Sequence, residues 1–512
     1  MSKQTFIRGA IILIIAGMIS RLLGFVNRMV MARLLGAEGV GIFMLTMPAL
    51  LLLITLSQIG IPVAVSKLIS EAMAVKDNER IKKILYVSFS ITGSLSVILT
   101  VLFVLGVPLI AEYLLLDERT LLPMLVMSPI IIIIAISSVL RGYFQGLQNM
   151  KPQAFAQVLE QVIRIVFVVV MINMMLPFGL EYAAAGAMGS AVIGELVSLA
   201  YIYVCFKKSK KQRQLKLARF PIRSLKDTYH KIFEIALPTA GSRLIGSLTY
   251  FFEPILVSQS LFVAGYTISE STSLYGQLTG FVLPLLLLPT FITHSLSVAL
   301  IPSISESNAL KHYQTVHFRI TQALRFSFVS GGLATILFML LSASLLQLLY
   351  GTEQGSEFLL FMAPFFILLY FQAPLQAALQ ALNYAKHAMI NSLVGAVVKL
   401  SVLWILATNP AFGIDGVMIS IVTGILIVTL LHFTALYRLI RFKLPISLVL
   451  RMATLLGGLF FIGYRLKNML DFTSELQLVI VLILSLGTIY ILSLFVLKLI
   501  TVDEWKQLIR KN

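Results

Sequence analysis

Apolar runs of about 20 residues recur from one end of this chain to the other, each long enough to cross the roughly 30 Å hydrocarbon core of a bilayer. A backbone in lipid must satisfy its own hydrogen bonds, and repeated amphipathic strands are absent, so the runs have to be helices. Composition agrees: 58% of the 512 residues are hydrophobic and 12% charged, where a soluble domain carries about 25% charge. The expected class is an all-α polytopic membrane protein of about fourteen transmembrane helices. Their approximate ranges are 7–27, 40–66, 84–111, 121–146, 153–176, 183–206, 232–262, 276–302, 323–349, 358–382, 388–408, 414–437, 446–464 and 476–499. The longest polar stretch, 207–231, is too short to fold as a domain of its own.

The first run follows Lys3 and Arg8, as a secretory leader would. It continues into Arg21 and Arg28 without a small-residue cleavage site, which reads as a retained first helix. The single cysteine, Cys205, excludes an internal disulfide and a cysteine-based metal cluster; no metal or cofactor is expected.

Loop charges orient the spans, since cytoplasmic loops are rich in Lys and Arg. Loop 67–83 carries Lys67, Lys76, Arg80, Lys82 and Lys83, and loop 207–231 carries ten basic residues. Arg438, Arg441 and Lys443 follow, then Lys506, Arg510 and Lys511 at the C-terminus. Loops 177–182, 263–275, 350–357 and 409–413 have neither Lys nor Arg. The alternation puts both termini in the cytoplasm and makes the net charge of +18 a topology signal with attraction to anionic membrane lipids. Nucleic acid is not an expected partner, because the basic residues lack interleaved aromatics. Loop 112–120, with Glu112, Asp117, Glu118 and Arg119, resembles ordinary solvated charge.

The chain also repeats itself. Ser20-Arg21-Leu22-Leu23-Gly24 recurs as Ser242-Arg243-Leu244-Ile245-Gly246, and Gln145-Gly146-Leu147-Gln148 as Gln380-Ala381-Leu382-Asn383. Gly186-Ala187-Met188-Gly189-Ser190, then Gly194, recurs as Gly416-Val417-Met418-Ile419-Ser420, then Gly424. The offsets of 222, 235 and 230 are nearly constant. They predict two parallel six-helix lobes, 1–206 and 232–440, joined by a basic linker, 207–231, with the last two helices and tail, 441–512, appended.

An ionised group inside a membrane costs roughly 2.5–3.5 kcal/mol on insertion scales, so each one asks for a reason. Gly17, Arg21, Gly24 and Arg28 fall on a single face of the first helix, flanked by Ser20 and Asn27. Arg33 lies at its outer end, and Arg243 is the repeat partner of Arg21. Arg21, Arg28, Arg33 and Arg243 are therefore candidate binders of an anionic substrate, a phosphate or pyrophosphate above all. Glu160, Arg164, Glu195 and Glu253 are candidates for carrying a coupling ion or for ion pairing; Glu160 and Arg164, four residues apart, suit each other. His294 and Lys399 are further intramembrane ionisable residues, while Lys67, Arg141 and Arg325 lie where snorkelling to the cytoplasmic surface suffices. No Gly-x-x-x-x-Gly-Lys-Ser/Thr motif occurs.

Ser20-Arg21-Leu22-Leu23-Gly24-Phe25 followed by Ala32-Arg33-Leu34-Leu35-Gly36-Ala37 resembles the opening of the lipid II flippases of the multidrug/oligosaccharidyl-lipid/polysaccharide (MOP) exporter superfamily. Gly60-Ile61-Pro62-Val63-Ala64-Val65-Ser66-Lys67 and Leu140-Arg141-Gly142-Tyr143-Phe144-Gln145-Gly146 are closer to its polysaccharide-transport branch. The likeness continues through Glu181-Tyr182-Ala183-Ala184-Ala185-Gly186-Ala187-Met188 and Ala363-Pro364-Phe365-Phe366. It implies a non-enzymatic flippase for an undecaprenyl-pyrophosphate-linked peptidoglycan precursor of the lipid II type, serving spore cortex synthesis alongside cell-wall synthesis proteins. It also implies a cationic central cavity and a groove for the lipid tail at the last two helices. Arg21 and Arg33 match family arginines; Arg28 does not, because the family's next arginine aligns with Asn27. Tyr275-Gly276-Gln277-Leu278 lacks the cation that lipid II flippases carry there. Three other readings stay open: an exporter of another polyprenyl-linked unit, a cation-coupled drug exporter, and a non-transporting cell-wall assembly partner.

Overall fold

The computed structural model describes residues 3–212, 225–470 and 474–500, and among them the regular structure is helical throughout. Eleven helices are long and apolar enough to cross a membrane, or twelve if one bent pair counts as a single span. The all-α polytopic class stands; the helix boundaries differ from the sequence reading in instructive ways.

Packing divides the chain into residues up to Gly276 and residues from Gln277 on. The first unit contains α1 (Lys3–Gln58), α2 (Ile61–Ala74), α3 (Asn78–Leu109), α4 (Leu121–Met127), α5 (Ile130–Gly146), α6 (Lys151–Met175), α7 (Leu180–Gln212), α8 (Lys226–Val263) and α9 (Ile268–Gly276). The expected spans 7–27 and 40–66 are two helices that meet at a kink at Gly36 and together make up α1. Gly36 has φ 65° and ψ −176°, a conformation essentially restricted to glycine. The second expected span then breaks at Gln58–Ile61, where Pro62 opens α2; proline suits a first turn because its missing N–H would be unpaired there anyway. Span 121–146 divides into α4 and α5 at Pro129.

In lipid there is no hydrophobic force between helices, so close packing through small residues takes its place. A Cβ on Gly142 would come within 2.8 Å of the Pro62 carbonyl, and one on Gly146 within 2.8 Å of the Ser66 carbonyl. Those two glycines let α5 lie on α2. The buried cluster around Ile61, Val65, Leu68, Tyr143, Phe144, Ile202 and Phe206 fills the same region.

The second unit contains α10 (Leu283–Leu286), α11 (Thr290–Ala309), α12 (Tyr313–Leu340), α13 (Ser342–Tyr350), α14 (Ser356–Ala381), α15 (Ala385–Ala407), α16 (Ile414–Ile440), α17 (Ile446–Met469) and α18 (Glu475–Val496). α17 and α18 join a shared core with α12 and α14. The Tyr490 hydroxyl of α18 donates to the Val329 carbonyl at 3.0 Å, and Lys467 Nζ of α17 to the Leu340 carbonyl at 2.8 Å.

The repeated glycines do the same work in both units. A Cβ on Gly186 would come within 3.0 Å of the Met171 carbonyl, and one on Gly194 within 2.9 Å of the Glu160 carbonyl, at the α6–α7 seam. Gly416 faces Leu406 and Ala407, and Gly424 faces Lys399, at the α15–α16 seam.

Candidate functional site

The ionisable residues singled out from the sequence form three groups in the first unit. The first is the arginine stripe of α1. Arg21 and Arg28 are exposed, and neither has an ion pair among the described residues. Ser20 and Asn27 are buried, while Gly24 faces the Gln161 side chain of α6. The packed edge of the stripe is thus Ser20, Gly24 and Asn27, and the arginines project from beside it. Arg33 is exposed and has a partner within the structure. Arg243 lies in α8, but its side chain is outside the described residues, as are the linker segment 213–224 and the tail from 501. Glu253, also on α8, is buried and has a partner within the structure. Tyr275 of α9 is buried as well.

The second group is a four-membered network. Arg164 Nη2 donates to Glu160 Oε1 at 2.6 Å, the i, i+4 pair anticipated from spacing. Arg141 of α5 does not snorkel. Its Nη2 donates to Glu195 Oε1 of α7 at 2.7 Å, with the Ser198 hydroxyl at 3.4 Å and Glu160 Oε2 at 3.7 Å. Arg141 was assigned to the cytoplasmic surface because its position in the chain allows that; the crossing of α5 with α7 was invisible from one-dimensional spacing.

The third group overturns the reading of loop 112–120 as solvated charge. Asp117 is 2% exposed. Arg119 grips it with Nε and Nη2, each at 2.8 Å, while Nη1 reaches Glu38 Oε1 of α1 at 2.6 Å. Thr272 of α9 donates to Asp117 Oδ2 at 2.7 Å, and the Ser269 hydroxyl donates to Glu38. Beside this clasp the α1 and α9 backbones touch: a Cβ on Gly41 would strike the Thr272 carbonyl, and one on Gly276 the Ala37 carbonyl. Gln259 of α8 adds a bond to the Tyr113 carbonyl at 2.7 Å. An arginine flanked by acids within a short loop was the available signal.

In the second unit Lys399 lies against Gly424 and has a partner, and His294 is exposed. The sequence reading missed His432, which is buried and shares a hydrogen bond with Asn391 at 3.0 Å. No group of three or more metal-ligating side chains occurs among the described residues.

The family model described as polysaccharide biosynthesis protein matches residues 6–308. The chain belongs to this family. A second model, MatE, matches residues 254–405. Stage V sporulation protein B of Bacillus subtilis (strain 168) is 48% identical, over 99% of this chain and 98% of its own length. Lipid II flippase MurJ of the same organism is 27% identical, over 78% of this chain and 76% of its own. Among solved structures, lipid II flippase MurJ in an inward closed conformation aligns with a TM-score of 0.71 at 16% identity, covering 94% of this chain and 98% of that one. An inward-facing MATE family transporter of the MOP superfamily aligns at 0.64 and 18% identity, covering 82% and 94%. This member of the polysaccharide biosynthesis family therefore has the polytopic helical fold of the MOP superfamily and is a multi-pass membrane protein. The resemblance drawn from its opening motifs extends from end to end.

Proposed function

We propose that the protein flips an undecaprenyl-pyrophosphate-linked peptidoglycan precursor of the lipid II type across the bacterial cytoplasmic membrane, in service of spore cortex synthesis. The observation that carries this reading is the pair of exposed α1 arginines, Arg21 and Arg28, without ion pairs among the described residues. Cations kept inside a membrane span at a cost of a few kcal/mol each are matched to an anionic cargo, and guanidinium forks suit a diphosphate. The 48% identity to Stage V sporulation protein B supports the sporulation role.

In this reading both termini are cytoplasmic, and two six-helix lobes, 1–206 and 232–440, related by an axis along the membrane normal, rock to open the cavity to each side in turn. The headgroup enters from the cytoplasm and its diphosphate meets Arg21 and Arg28, with Arg33 and Arg243 as further cations. The polyprenyl tail stays in the lipid beside α17 and α18, and the clasp of Glu38, Asp117, Arg119 and Thr272 parts at the outer end. Expelling a net anion from an inside-negative cell is assisted by about 2.3 kcal/mol per charge per 100 mV.

The test is flipping of labelled lipid II in proteoliposomes containing this protein alone, with and without a potential. The expected result is potential-sensitive flipping that falls at least about tenfold in Arg21→Ala, the loss of one charge-assisted contact of about 1.5–3 kcal/mol. Unchanged flipping in that variant would remove Arg21 from the path. A second reading rests on the MatE match over residues 254–405: a cation-coupled exporter of drugs, which would move a cationic dye and leave lipid II in place.

A further inference from the structure

Glu160 and Glu195 are buried, and both carboxyls converge on one guanidinium nitrogen, Arg141 Nη2, with Glu195 Oε1 at 2.7 Å and Glu160 Oε2 at 3.7 Å. Two ionised carboxylates crowded onto one nitrogen repel each other, and a single proton on either relieves that repulsion. Arg141 and Arg164 make the opposite demand. With two guanidiniums at 2.7 and 2.6 Å, the four groups are electrically balanced when neither carboxyl carries a proton. The cluster thus has two arrangements that differ by one proton. The guanidiniums are its wet side: their side chains are 27% and 21% exposed, against 4% for Glu195 and 10% for Glu160. The Nε atoms of both arginines are buried without a hydrogen-bond partner, so neither fork is saturated in this arrangement.

The second half of the repeat shows that packing does not require these charges. Offsets of 235 and 230 place Gln376, Gly395, Lys399 and Ile425 opposite Arg141, Glu160, Arg164 and Glu195. The helix seam is the same, with Gly424 against Lys399 as Gly194 lies against Arg164. Yet both carboxylates are gone, and the space beside Gly395 is taken by the side chain of Val428, the counterpart of Ser198. Replacing a buried ionic cluster by apolar groups is often neutral or stabilising. Retaining one in the first copy alone calls for a purpose other than holding helices together.

We infer that Glu160 and Glu195 form a reversible one-proton site, and that its occupancy sets how firmly Arg141 ties α5 to α6 and α7. Binding forms one O–H bond on a carboxylate oxygen, with the proton taken from water reaching the arginine side; release reverses it, and no electrons move. With the proton bound, Arg141 loses part of its hold on the two carboxyls. Without it, the carboxylates repel each other and each closes on its own arginine.

The surroundings add little charge. α4 has no ionisable residue, and Gln161 on α6 gives one weak bond to Glu160 at 3.4 Å. α1, packed on α6 and α7, contributes Gly24 nearby; its Arg21 and Arg28 are exposed, and its Glu38 is held by Arg119. At the outer end of α7 the 118–120 turn brings exposed Glu118 and the engaged Arg119.

The primary test is infrared spectroscopy of the purified full-length protein, labelled with carbon-13 glutamate, across a pH series. The expected result is a protonated-carboxyl band that titrates as a single proton, vanishes in both Glu160→Gln and Glu195→Gln, persists in Glu253→Gln, and returns with a displaced midpoint in Glu195→Asp. A wild-type protein with no titrating carboxyl, or a band that survives both glutamine variants, overturns the inference. The wild-type spectrum alone decides if a variant fails to fold. Coupling of this proton to transport rests on the proposed flippase function: lipid II flipping should then change about tenfold per pH unit on one limb and become flat within twofold in Glu195→Gln. Absence of flipping at every pH would sink the flippase reading and leave the infrared result standing, whereas pH-dependent flipping that persists in Glu195→Gln sinks the coupling.

Discussion

Arg119→Ala tests the clasp between α1, the 117–119 turn and α9. The substitution removes three side-chain hydrogen bonds, two to Asp117 and one to Glu38. It leaves Asp117, 2% exposed, with the Thr272 hydroxyl and the residue 119 backbone N–H as remaining donors. Breaking a fully buried pair costs about 3–5 kcal/mol. Here the arginine and Glu38 side chains are each 29% exposed, and water can replace part of what is lost. A loss of about 2 kcal/mol follows after that discount. If the clasp exists in only one of two conformations, the population without it rises by about 30-fold, at 1.4 kcal/mol per factor of ten.

Ser271, in a recess lined by Leu115, Leu116, Phe262 and Thr272, is a suitable reporter because it is buried when the clasp is made. With Cys205→Ser as background and Ser271→Cys as the target, labelling by a membrane-impermeant maleimide would be timed in right-side-out vesicles. Arg119→Ala should speed labelling by up to about 30-fold. Arg119→Lys should recover only part of the closure, since a point charge cannot bridge two carboxylates as a guanidinium does. Arg80→Ala is the control: its bond to Glu71 is between side chains 31% and 44% exposed, and such pairs contribute little. Equally slow labelling in folded Arg119→Ala, or equally fast labelling in Arg80→Ala, would refute the clasp.

Two further outcomes follow from packing. Gly194→Leu puts a side chain where a Cβ alone would stand 2.9 Å from the Glu160 carbonyl, forcing α7 off α6; thermal unfolding in detergent should show a loss of about 1–3 kcal/mol or more, and an unchanged midpoint would mean the seam is loose. Tyr490→Phe deletes the hydroxyl that donates to Val329 at 3.0 Å and should cost about 1 kcal/mol in the same measurement, with no effect on the maleimide rate at Ser271→Cys.

What could be read before the structure was whatever repeats with a helix's own period or with the thickness of a membrane. Run length identified a helical membrane protein, and the four-residue step from Glu160 to Arg164 paired them correctly because i, i+4 neighbours share a face of one helix. Run length separated the helices on either side of Gly36 but could not name the residue where they meet, since a single non-helical glycine conformation makes that kink. Charge alternation likewise treated Asp117 and Arg119 as loop charge, because a loop's sequence does not say which helices close over it.

The class of fold and the family were legible in the residues alone, as were the membrane-embedded charges that needed explaining. These follow from local periodicity and from the cost of charge in lipid, both properties of the chain alone. Which of these charges meet depends on how the helices pack. Arg141 found Glu195 54 residues away, and Arg119 found Glu38 81 residues away, because helix packing brings those side chains close enough to touch. Ion pairs reach only a few ångströms, so partnership depends on that approach and leaves no mark in spacing along the chain.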